Sequence, residues 1–339
     1  MRRFFKGILV LVTAAPFVCA SIAQSESAPL PIEAPKTGLL AVVNKTDNSV
    51  SFIDVASQKI VNTLATGQGP HELVLSADGK WAVSTDFIGG DSLTVFDVHS
   101  QKVARTIELP ELPGPHGIRF LNDSVRVVFS SGKSQQLGIV NILSGKVTGS
   151  IKTGQNTTHM VTLSKDETLA FTTNIRSNSI SVLDLAKGDK IKDIATEAMP
   201  EAINLHTHSN ELWYGANRDG KLLVVNPESE KVLASWDGFS FPYRVLFNHD
   251  QSVAIVPDFR KHNVRFFDTK NKKEIGLLAL EKEAGPQGII LHPSKDIAYL
   301  SLNLKNKIVA IDIATQTIIA EYPTGNNPDG VIFIEHQIH

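Results

Sequence analysis

Apolar and polar residues alternate along most of the chain in short runs closed by Asp, Asn, Gly or Ser, of which Ser92-Leu93-Thr94-Val95-Phe96 is one. A period of two marks β-strands packed on a face, and no segment sustains the 3.6-residue period of a helix. The runs are themselves periodic. A short strand ending in Asp or Asn recurs as Phe52-Ile53-Asp54, Val95-Phe96-Asp97, Ile139-Val140-Asn141, Val182-Leu183-Asp184, Val224-Val225-Asn226, Phe266-Phe267-Asp268 and Ala310-Ile311-Asp312. The steps between these endings are 43, 44, 43, 42, 42 and 44 residues. A proline followed by a polar residue keeps the same beat one strand pair earlier. It reads Pro70-His71, Pro115-His116, Pro200-Glu201, Pro242-Tyr243, Pro286-Gln287 and Pro328-Asp329, with Thr158-His159 in the remaining slot. Proline at the first position of a strand removes no ladder donor, so the marker predicts where a strand begins.

Between the markers each unit reads as four strands; in the first full unit they are 72–76, 81–85, 92–97 and 102–108. Ser76-Ala77-Asp78-Gly79 supplies the residues a tight turn needs. Four strands in a repeat of about 43 residues predict a β-propeller. The chain enters mid-unit: 38–43, 49–54 and 59–63 give a second, third and fourth strand without a first. It ends on 331–334, a first strand without the rest. The predicted fold is therefore all-β, a seven-bladed β-propeller over 37–335 with four antiparallel strands per blade. The C-terminal strand closes it by pairing with the N-terminal blade, which removes two exposed edges. Residues 336–339 are left as a tail.

Leu163-Ser164-Lys165-Asp166, Leu169-Ala170-Phe171-Thr172-Thr173-Asn174 and Ser179-Ile180-Ser181-Val182-Leu183-Asp184 resemble the YVTN family of β-propeller repeats, with its YncE-like and lactonase-like seven-bladed propellers. Residues 75–97 and 291–312 resemble it nearly as well, and the resemblance runs over roughly 38–334. It implies an exported seven-bladed propeller. The wider lactonase-like group includes metal-dependent hydrolases, but the fold alone assigns no activity.

The N-terminus adds a compartment. Arg2, Arg3 and Lys6 precede an apolar run from Gly7 to Ala20, and Ser21-Ile22-Ala23 places small residues where a signal peptidase cuts. This predicts a signal peptide over 1–23 and a periplasmic or secreted protein. Arg2-Arg3 followed by Phe5 matches a twin-arginine signal in part. The apolar run is short for a span and Pro16 interrupts it, so the cleaved chain is not expected to span a membrane. Residues 24–36, rich in Ser, Pro, Ala and Glu, read as a flexible lead-in. Cys19, the only cysteine, leaves with the signal. That excludes disulfides, a cysteine nucleophile, thiolate metal ligands and a c-type haem. Three of the 33 basic residues and none of the 35 acidic ones lie in the signal, which leaves a net charge of −5 and no case for a nucleic-acid partner. The chain also lacks a Gly-x-Ser-x-Gly elbow, a phosphate loop, a dinucleotide fingerprint and HExxH, so neither haem nor nucleotide is expected.

The marker places its polar residue at the upper channel mouth in every blade: His71, His116, His159, Glu201, Tyr243, Gln287 and Asp329. Three imidazoles and a carboxylate in consecutive register (His71, His116, His159 and Glu201) make a ligand set for zinc, manganese, iron or copper. Tyr243, Arg244 and Gln287 are the candidate contacts to a small ligand. Glu201 and Asp329 are the candidate general bases. The bland alternative is a wet rim whose histidines only bind water. His206, His208, His249 and His292 fall on the opposite face and read as surface residues. Asn44, Asp86, Asn174, Asn217, Asp258 and Asn303 read as turn formers, and Asp54 to Asp312 of the seven endings as structural. Three functions remain open: a monomeric protein binding a small molecule, a metal ion or another exported protein; a metal-dependent hydrolase or lyase; and a scaffold without channel chemistry.

Overall fold

The computed structural model describes Gly7 and residues 30–335. The signal peptide, most of the lead-in and the tail lie outside the described residues. Among those described, the strands form seven sheets of four, each antiparallel, and no helix occurs. Blade 1 consists of 39–65 with 328–334; blades 2 to 7 are 70–108, 115–152, 158–195, 200–236, 246–279 and 286–323. First strands pack against the first strands of neighbouring blades and so form the inner ring.

Closure follows the expectation. Pro328–Ile334 pairs antiparallel with Leu39–Asn44, Leu39 opposite Ile334 and Val42 opposite Val331. Strand positions differ little from the sequence reading. The third and fourth strands of blade 2 are Ser92–Asp97 and Lys102–Glu108 as expected. Its first is Pro70–Leu75 and its second runs to Asp86. Fourth strands are exposed along most of their length, whereas second and third strands are buried on both faces. Apolar side chains of adjacent blades meet in shared clusters. Phe171, Ile180 and Val182 of blade 4 pack with Ile203, Leu205 and Tyr214 of blade 5. Each such side chain contributes about 1.5–3 kcal/mol on burial.

Two polar devices repeat. The Asp or Asn closing each third strand accepts backbone N–H bonds from the following turn, as in Ser57 N to Asp54 at 2.7 Å and Ser229 N to Asn226 at 2.8 Å. At the end of the second strand Asn44, Asp86 and Asn174 do something other than form turns. They are buried, and they hold hydroxyls of the third strand: Asn44 holds Ser49 and Ser51, Asp86 holds Ser92 and Thr94, and Asn174 holds Ser179 and Ser181. Asp258 forms the expected turn, accepting N–H bonds from Arg260 and Lys261 at 3.1 Å each, but it is buried too and also accepts from Ser240 N and Phe241 N at 2.6 and 2.9 Å.

Blade 6 is irregular. Its first strand is reduced to Leu246–Phe247, and Pro242 makes only an isolated bridge to Asp258. In the other six blades the residue before the marker has positive φ: Gly69, Gly114, Thr157, Met199, Gly285 and Asn327, at 57–65°. Phe241 does not, and the marker there opens no ladder. Deleting the chain from Asn326 onward should expose the edges of Leu39–Asn44 and of its neighbours. We expect the thermal unfolding midpoint to fall by more than 10 °C, or the fold to be lost, since a strand of the inner ring disappears; an unchanged melting curve would contradict the closure.

Candidate functional site at the channel mouth

A bulge sets the site. In blades 2, 3, 4, 5 and 7 the pairing of first with second strand slips by one residue just after the marker, as between Pro70 and Leu73. A bulge re-aims side chains and frees one backbone N–H. Hydroxyls of the second strand take up that N–H: Glu72 N bonds Thr85 Oγ1, Gly117 N bonds Ser130 Oγ and Met160 N bonds Thr173 Oγ1, at 3.0–3.1 Å. The hydroxyls of Ser130 and Thr173 in turn donate to the carbonyls of His159 and Glu201 in the next blade. His159 is thus fixed from both its own blade and its neighbour.

The position after the marker is crowded. A Cβ at Gly117 would come within 2.6 Å of His159 O, and one at Gly288 would strike Asp329 O. A side chain is excluded at these glycines, and at Gly330, whereas blades 2, 4 and 6 carry the long residues Glu72, Met160 and Arg244 at the same position.

All seven marker residues are buried, Asp329 completely and His159 at 9% exposure. The rim is therefore enclosed rather than open to bulk solvent. Asp329 Oδ2 accepts from Lys45 Nζ and from Tyr243 OH, each at 2.9 Å, and lies 3.3 Å from His71 Nδ1. Lys45 also donates to Gln287 Oε1 at 2.6 Å. Arg244 lies over the Tyr243 ring, 4.1 Å from its centroid, and reaches across the ring of blades to donate to Glu72. His71 Nδ1 sits 3.3 Å from the same Glu72 oxygen. The three histidines form a continuous row: His71 and His116 centroids are 4.3 Å apart and tilted, while His116 and His159 are stacked at 3.7 Å. Phe87 lies edge-on to the first two. Glu201 stands apart, held by Asn217 Nδ2 at 2.6 Å.

Burial governs the charges. It drives the His116 imidazole well below its ordinary range and His159 down to about 3, with neighbouring cations adding to the effect; both rings are neutral. Burial lifts the Glu201 carboxyl to about 7 against the opposing charge of Arg244. Glu72 is buried as well, but the Arg244 guanidinium and His71 hold it well below the usual carboxylate range. Burial, with the charge of Asp329, raises the Tyr243 hydroxyl well above 10.

The comparisons agree with this architecture. A family model described as the YNCE-like β-propeller matches residues 3–189, more than half of the chain. The chain belongs to that family. No match was found among curated proteins. Among solved structures this YNCE-like propeller is similar to the hydrazine synthase of Kuenenia stuttgartiensis, at 16% identity over 80% of this chain and 96% of that one, with a TM-score of 0.69. It is also similar to a functionally unknown protein from Desulfotomaculum acetoxidans, at 13% identity over 89% and 100% of the two chains, with a TM-score of 0.74. At these identities the likeness shows the fold alone.

The propeller therefore brings His71, His116 and His159 together, and Glu201 stands beyond the row. Among the described residues, the group whose ligand atoms all lie within 4.8 Å of one another is His71, Glu72 and His116. Stacked rings direct their in-plane lone pairs side by side rather than toward one centre, so His159 flanks that group. Asp329 is engaged through Oδ2, and its Oδ1 has no partner. Glu72 and Phe87 are contributions the sequence reading missed; Asn217 it noticed, but as a turn former rather than as part of the site. On the opposite face His208 and His249 are exposed as expected. His206 and His292 are not: both are buried, His206 bonded to Ser209 Oγ at 2.7 Å and to Gln251 O at 2.9 Å, and His292 packed on Phe333 at 4.3 Å. The bulky neighbours Phe247 and Phe333 draw them into the core.

A carboxyl raised by burial weakens the fold as pH climbs from its unfolded value of 4.5 through about 7, because the unfolded chain ionises first. Glu201→Gln should match the wild type near pH 4 and exceed it at pH 8 by up to about 3 kcal/mol in urea unfolding. A difference that does not change with pH would contradict this.

Proposed function

We propose that this is an exported propeller that binds a divalent transition metal ion at the mouth of its channel. The observation that supports this reading best is the buried group of His71, Glu72 and His116 with mutually close ligand atoms. Two further features favour it. Nδ1 of His116 and of His159 are buried without a partner, a cost a fold normally avoids. Burial also keeps those imidazoles neutral, the form a metal requires. Imidazole and carboxylate donors without a thiolate suit zinc, copper, iron or manganese. Isothermal calorimetry with zinc chloride should give one site per chain. His71→Ala and His116→Ala should each weaken it at least about a hundredfold, against a smaller loss for His159→Ala, which flanks the group. Unchanged affinity in the first two variants would refute the site.

The second reading is a metal-dependent hydrolase or lyase. One observation favours it: a carboxyl lifted to about 7 at Glu201 can exchange a proton near neutral pH. Asp329 suits that role less, since Lys45 and Tyr243 already bond its Oδ2. Opening of a lactone by the zinc-loaded chain, lost in Glu201→Gln, would raise this reading above simple binding.

Export rests on the basic, apolar and small-residue stretches of 1–23. Among the described residues no helix is long and apolar enough to cross a membrane. N-terminal sequencing of the fractionated protein should begin at Gln24; intact Met1 on protein from the cytoplasm would overturn this.

A further inference from the structure

Glu72 is the ligand the sequence markers do not reveal, and it is already taken. Its carboxylate accepts from Arg244, whose side chain comes from blade 6 while Glu72 belongs to blade 2, so the pair spans the channel. An unpaired buried carboxylate is costly, and a fold that keeps one supplies it with a cation. Arg244 is placed unlike the other residues of the inner ring. Strand pairing in its blade starts only at Leu246, and Tyr243 is held by a single backbone bond to Pro257 O at 2.9 Å. The buried guanidinium thus extends from a stretch outside the ladder, over the face of the Tyr243 ring, and besides Glu72 it bonds the Tyr243 carbonyl at 2.7 Å, an anchor within its own stretch that it can keep while it changes carboxylates.

A second seat lies beside the first. Asp329 accepts from the Tyr243 hydroxyl through Oδ2 while its Oδ1, fully buried, has no partner. The two carboxylates are neighbours, since His71 Nδ1 lies 3.3 Å from both Glu72 Oε1 and Asp329 Oδ2, and the charges of Asp329 and Glu201 both favour the guanidinium. From these positions, and resting on the metal reading above, we infer that Arg244 is a displaceable resident cation: it occupies Glu72 while the mouth is empty, and an incoming metal ion at His71, Glu72 and His116 takes Glu72 from it. Arg244 then transfers to Asp329 Oδ1 or to Glu201. Metal uptake is thus an exchange of cations on one carboxylate. The position sets affinity without contacting the metal.

The exchange is tested by titrating zinc into the full chain and into Arg244→Gln. Removing the competitor leaves Glu72 free, so Arg244→Gln should bind zinc at least tenfold more tightly than the wild type, and Glu72→Gln should lose most binding. Equal or weaker binding by Arg244→Gln, with the wild type still binding, overturns the exchange and leaves the metal site standing. No zinc binding by either chain overturns the metal reading itself, and the exchange with it. Should Arg244→Gln fail to fold, a crystal structure of the wild type with zinc decides the matter. The guanidinium should have left Glu72 for Asp329 or Glu201; a guanidinium still on Glu72 beside a seated zinc ion overturns the exchange.

Discussion

The pairing of Pro328–Ile334 with Leu39–Asn44 is the constraint on which the rest depends. Seven twisted sheets bury both faces of their inner strands only when the ring is complete, and this one antiparallel ladder completes it. The same ladder delivers part of the site. Asp329 rides on the closing strand, Lys45 follows the strand it pairs with, and the two meet at 2.9 Å. Backbone bonds from Lys45 N and Thr46 N to Asn327 O and Asn326 O fasten the turn beside them. Closure and the chemistry of the mouth are therefore one event in folding.

The closed ring creates an electrostatic problem that the network at its mouth solves. Buried ionisable groups from six of the seven blades gather at the mouth, joined by Gln287 of the seventh, and each must be neutralised, paired or left uncharged. The molecule uses all three routes. Glu72 is paired with Arg244, and Asp329 with Lys45; His116 and His159 are neutral through burial; and Glu201, which accepts from Asn217, is held near its point of protonation. Of the buried side-chain atoms without a partner among the described residues, His116 Nδ1, His159 Nδ1, Asn217 Oδ1 and Asp329 Oδ1 belong to this region, while others, such as Trp213 Nε1 and Tyr299 OH, lie elsewhere. Elsewhere the same repeat spends its buried polar groups on hydroxyl clamps such as Asn44 with Ser49 and Ser51.

Much of this was legible in the sequence because a repeat averages out local ambiguity. The Asp or Asn endings from Asp54 to Asp312 and the Pro-X marker fix blade number, strand order and closure, and they place His71, His116 and His159 side by side. Glu72 escaped for a definite reason. Strict alternation puts the residue after the marker on the opposite face, but the bulge between Pro70 and Leu73 adds a residue and turns both inward. A signal was there: Gly117, Ala202, Gly288 and Gly330 occupy the equivalent position, and Glu72, Met160 and Arg244 break the pattern, two of the three with a charge. The loss of the first strand of blade 6 had a signal too, since Phe241 stands where other blades place a residue of positive φ. The inward turn of His206 and His292 had none, because it depends on contacts with Gln251 and Phe333, distant in sequence.

The metal content of protein purified from its own compartment, without added metal, tests the proposed site at the mouth most directly. The prediction is close to one zinc, copper, iron or manganese ion per chain in the wild type, and none in a chain carrying both His71→Ala and His116→Ala. A wild-type protein free of these metals, or a double variant that retains the ion, would contradict it.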